Sequence, residues 1–85
     1  MKFFSICEYR GDYQIDGQKY WGCKFDTFTI ALSVACSVWR EGIYVIVFPS
    51  DSDQEEISAV VYGSDPNQIV IGDEAEKMAE DLSEK

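Results

Sequence analysis

The chain has 85 residues, of which 46% are hydrophobic, 14% aromatic and 27% charged, with a formal net charge of −9 and no histidine. A chain of this length forms one domain that buries roughly 60 to 65% of its unfolded surface, so the core is small. The acidic balance argues against direct binding to DNA or RNA, because phosphate neutralisation takes a basic surface. The missing histidine removes the usual general base, the commonest nitrogen ligand for zinc, and any Ser–His or Cys–His pair.

In chain order, residues 2–9 are rich in aromatic and β-branched types and predict a strand. Arg10-Gly11-Asp12 interrupts it, with Gly11 predicting a bulge or bend; turn chemistry accounts for this tripeptide better than an adhesion motif does. Tyr13, Gln14 and Ile15 resume the strand, Asp16-Gly17 suits a type I′ turn, and residues 18–25 form the return strand. Tyr9, Tyr13, Tyr20 and Trp21 thus gather on one hairpin. Packing one hairpin face on a helix takes about half of them into the core. The rest are of the types favoured at interfaces.

Residues 25–42 are the only long apolar segment with end signals. Phe28, Ala31, Leu32, Ala35 and Trp39 fall on one helical face, with Val38 beside them. Asp26 or Thr27 supplies an N-terminal cap, and Gly42 stands where a left-handed C-terminal residue is wanted. Residues 28–38 also alternate with a period of two, so a strand stays open as the alternative. Against it stand the length of such a strand and two alanines, which are poor strand formers.

Residues 43–48 are a continuous apolar run stopped by Pro49, the pattern of a central strand covered on one face or both. An acidic loop follows, then a strand at 57–62, a turn cluster at 63–67, a short edge strand at 68–71 and an acidic helix at 73–85. Ala75, Met78, Ala79 and Leu82 give that helix a thin apolar stripe, which predicts loose docking or fraying. The expected fold is a small single α+β domain of order ββαβββα over residues 1–85, its antiparallel sheet packed on one central helix and its C-terminal helix acidic.

Candidate chemistry is sparse. Cys7, Cys23 and Cys36 have no CxxC spacing, which points to reduced thiols in a reducing, cytoplasmic setting and to inert core positions rather than nucleophiles. The apolar start is cut by Glu8 and Arg10 before it reaches signal-peptide length, and no stretch reaches membrane-spanning length. Asp51-Ser-Asp53-Gln-Glu55 opens like a calcium loop, but Glu56 stands where glycine is needed and Tyr62 where a bidentate glutamate is needed. No catalytic residue, metal site or cofactor is expected.

The charge distribution says more. Residues 1–49 balance five acids with five bases, whereas residues 50–85 carry eleven acids against Lys77 and Lys85. On a helix, Asp73, Glu76, Glu80 and Glu84 lie along one face with neighbours about 5–6 Å apart. Glu74 and Asp81 flank that row, and Asp51, Asp53, Glu55 and Glu56 are placed to extend it. Such a row resembles the phosphates of a nucleic-acid strand and is suited to a basic groove meant for one. Hydration and solubility are the alternative use of the same charges.

In size, charge and element order the chain is similar to the small inhibitors encoded by phages and mobile elements, such as anti-CRISPR proteins; the similarity carries no site residues. The expected function is a non-enzymatic binding or inhibitory module whose acidic residues, with Tyr13, Tyr20 and Trp21, occupy a basic site on a nucleic-acid-handling protein. A self-associating module joined through a sheet edge is the second expectation.

Overall fold

A computed structural model describes residues 3–11, 13–15, 24–51 and 56–83. Five strands, β1 (Phe4–Arg10), β2 (Tyr13–Ile15), β3 (Tyr44–Pro49), β4 (Ala59–Val61) and β5 (Ile69–Ile71), form one sheet in the order β2-β1-β3-β4-β5. Every neighbouring pair is antiparallel. Helix α1 (Phe28–Val38) lies between β2 and β3 in sequence, and α2 (Asp73–Ser83) follows β5. The order ββαβββα and the α+β class are those the sequence predicts.

Residues 28–38 resolve to helix. The Thr27 side chain accepts a hydrogen bond from the Ile30 N–H at 3.1 Å, satisfying one of the donors a helix start leaves open. Ala31 and Ala35 have no exposed surface, and Phe28, Leu32, Val34, Val38 and Trp39 pack around them onto the sheet. Alanine at the centre of this stripe lets the helix axis come close to β3. The helix stops at Trp39, whose indole N–H donates to the Ile43 carbonyl at 2.9 Å.

Gly42 therefore caps no helix. With φ of +89° it is the third residue of a turn closed by the Ile43 N–H on the Arg40 carbonyl, a left-handed position that favours glycine.

The first hairpin differs from its sequence prediction. Arg10 faces Tyr13 and Glu8 faces Ile15, so residues 13–15 pair back onto β1 instead of extending it. The reversal falls between Arg10 and Tyr13, and Gly11 has the positive φ, +61°, that tight hairpin loops favour. The expected turn at 16–17 lies outside the described residues, as does all of the expected return strand but its end. At that end Phe25 makes an antiparallel bridge to Phe4, and Phe28 meets the Phe4 ring edge-on at 5.6 Å.

The central strand β3 is buried along its whole length because both sheet faces are covered. Alternation sends Val45 and Val47 to the α1 side with Ile6, Ala59 and Val61. Tyr44, Ile46 and Phe48 go to the other side with Cys7 and Val60, where Ala75 and Ala79 of α2 join them. The predicted stripe on α2 is the docked one: Ala75 and Ala79 are buried, and Met78 and Leu82 are half-buried beside them. The helix spans Asp73–Ser83.

Candidate functional site

Helix α2 packs on β4 and β5. Where its inner flank meets β1 and β3, a cleft of about 330 Å³ opens, lined by Tyr9, Tyr44, Ile46, Ile57, Glu76, Ala79, Glu80 and Ser83. Antiparallel register makes its aromatic wall. Tyr9 and Tyr44 are direct cross-strand partners on the α2 side, and their rings stack with centroids 5.5 Å apart and planes 15° from parallel. The Tyr44 hydroxyl donates to the Gly11 carbonyl at 2.9 Å, tying the wall to the first hairpin turn. Burial pushes the Tyr9 phenol up to about 12, with the neighbouring Cys7 and Tyr44 adding to the shift. Tyr9 therefore stays neutral at physiological pH.

The opposite wall is charged. Asp73, Glu76 and Glu80 are exposed and recur at three- and four-residue spacing, so they share one flank of α2 without an intervening base. Glu76 also borders a second hollow of about 330 Å³, with Phe28, Glu56, Ile57, Ser58, Ile71, Gly72 and Asp73. Asp73, Glu56, Glu76 and Glu80 thus form a band that runs from the start of α2 to the aromatic cleft. Among the described residues, no ion pair engages Glu76 or Glu80.

Glu74 and Asp81 lie on the far flank of α2 with Val70, Lys77 and Met78, where the lysine interrupts the row. Asp51 is exposed in the turn after β3 and lines neither hollow. Tyr13 occupies β2 opposite Arg10. Asp53, Glu55, Tyr20, Trp21 and Glu84 lie outside the described residues, as does Cys23. Of the expected acidic surface, the structure joins one α2 flank to Glu56 and separates it from Glu74 and Asp81.

Two features escaped the sequence reading. Tyr44 reads in the sequence as one residue of a core strand, and its pairing with Tyr9 depends on a register between segments 35 residues apart. In the sequence Glu8 serves only to break the apolar start and to count toward net charge, yet its side chain is 1% exposed on the α1 side of the sheet. Arg40, just past α1, donates to it at 2.9 Å with its own side chain half exposed. The carboxylate is tolerated there because its partner reaches in from the surface.

The thiols divide. Cys7 is buried on the α2 side, and desolvation with the adjacent Glu8 charge raises its pKa, so the unreactive thiol dominates. Cys36 is exposed on the outer side of α1, which corrects the expectation that it sits in the core. Helical spacing turns it away from the face of Ala31 and Ala35.

Among the described residues, no three Cys, Asp or Glu side chains come together as a metal-ligand set, and no helix is long and apolar enough to cross a membrane. Set against protein-family models, curated proteins and solved structures, the chain has no match in any of the three comparisons.

Proposed function

We propose that this protein is a non-enzymatic binding module that inhibits or occupies a partner by placing its acidic and aromatic surface in a basic, nucleic-acid-binding site. The observation that carries this reading is the unneutralised band of Asp73, Glu56, Glu76 and Glu80 held beside the Tyr9–Tyr44 wall. A docked helix gives the carboxylates fixed spacing, so they present a pattern to a partner instead of a diffuse charge.

The helix ends also favour this reading over solubility alone. Asp73, Glu74 and Glu76 in the first turn suit the positive end of the helix dipole, but Glu80 and Asp81 approach its negative end with no base in the last turn. Each misplaced acid costs about 0.3–1 kcal/mol. Acids placed only for solubility would serve equally well elsewhere on the surface.

The test is affinity capture from nuclease-treated lysate, with bound proteins eluted by rising salt. Release of a basic nucleic-acid-handling protein between about 0.1 and 1 M salt, and its displacement by added nucleic acid, is the expected outcome. Capture that ignores salt and nucleic acid would contradict the reading.

A further inference from the structure

We propose that the cleft between α2 and strands β1 and β3 receives the guanidinium of one arginine on the partner's basic surface. This inference rests on the function proposed above and names the contact that would anchor it.

Its lining pairs the two things such a group needs. Tyr9 and Tyr44 supply an aromatic wall, Ile46, Ile57 and Ala79 supply apolar surface for an aliphatic stem, and Glu76 and Glu80 supply carboxylates on the facing side. Among the described residues, no lysine or arginine lines the cleft. The two glutamates are one helical turn apart, about 5–6 Å between Cβ atoms, within reach of a single forked cation. At about 330 Å³ the cleft is at the bottom of the size range for small-molecule sites, room for one long side chain rather than a drug-sized ligand.

Other occupants fit less well. An anion is repelled by both carboxylates, and an apolar side chain would strip water from them without pairing them. A lysine ammonium satisfies the charge, but its compact, strongly hydrated head neither stacks on a ring nor bridges two carboxylates as a planar guanidinium does.

The experiment is a titration of the isotopically labelled full-length chain, followed by amide NMR shifts, with the peptides acetyl-Gly-Arg-Gly-amide, its lysine counterpart and its citrulline counterpart. Saturable shifts centred on Tyr9, Tyr44, Glu76 and Glu80, strongest for arginine and lost for the uncharged citrulline, are expected. Tyr9→Leu should weaken arginine binding about threefold to thirtyfold, Tyr9→Phe should leave it near the native value, and Glu80→Gln on the exposed wall should cost about twofold to fivefold. Equal binding of the three peptides, or shifts centred on Glu74 and Asp81, would overturn the proposal. So would unchanged affinity in a Tyr9→Leu variant that keeps the native spectral dispersion. A Tyr9→Leu bait that still captures the partner in a salt-dependent way would also remove the arginine anchor while leaving the acidic-surface function standing. Salt-independent capture by the native chain would remove both.

Discussion

The two helices cover opposite faces of one sheet and have opposite compositions. No residue of α1 is charged, and it docks through Ala31, Ala35 and a broad apolar surround. In contrast, α2 carries six acids and bases among its first nine residues, Asp73, Glu74, Glu76, Lys77, Glu80 and Asp81, and docks through the narrow stripe of Ala75 and Ala79. Equal lengths of 11 residues make the contrast one of surface chemistry alone. Both complete the core, α1 with a broad uncharged face and α2 with a narrow stripe that leaves its charges exposed.

Substitutions on each side of the sheet test this contrast. The largest effect is expected at Ile6, which is 2% exposed under α1. Ile6→Ala should destabilise the domain by about 2–5 kcal/mol in urea unfolding, whereas Met78→Ala at the half-buried edge of α2 should cost less, about 1–2 kcal/mol. Equal losses would mean that α2 is as much a part of the core as α1.

Next in size is the pair at the open end of the α1 layer. Arg40→Ala leaves the buried Glu8 carboxylate without its cation and should cost about 1–3 kcal/mol, below the range for fully buried pairs because Arg40 is half exposed. Replacing Glu8 and Arg40 together with Leu and Met should be close to neutral by the same unfolding measurement. A double variant as unstable as Arg40→Ala would show that Glu8 has a second, positive role.

The smallest effect is a pH dependence on the α2 side. A phenol whose pKa is raised on folding contributes stability in full below its ordinary value of 10.0 and loses it as pH climbs through the folded value of about 12. Stability should therefore fall between those limits, and Tyr9→Phe should flatten that part of the profile. Absorbance titration of tyrosinate checks it directly: one phenol ionising near 12 in the native chain should vanish in the variant.

The parts legible in the sequence are those fixed by local pattern. Helix α1 has a cap at Thr27 and an apolar face at helical spacing, and the unbroken run before Pro49 has the pattern of a central strand, whose cover on both faces the structure adds. The docking stripe of α2 is equally local. Gly11 was ambiguous because the same residue serves a bulge and a hairpin loop, and only the pairing of Arg10 with Tyr13 decides between them. Gly42 misled for a related reason, since positive φ serves a tight turn as well as a helix end.

The candidate site was half legible. Helical spacing alone places Asp73, Glu76 and Glu80 on one flank. The aromatic wall facing them, and the burial of Glu8 by Arg40, need contacts between residues more than 30 positions apart, which no local pattern encodes.

The most direct test compares two baits with identical net charge. Glu76→Lys with Glu80→Lys reverses the cleft flank, and Glu74→Lys with Asp81→Lys reverses the flank that already holds Lys77. Partner capture near 0.1 M salt should fall by about tenfold or more for the first bait and stay within about threefold of native for the second. Equal losses from the two would show that total charge, and not the arrangement beside Tyr9 and Tyr44, governs binding.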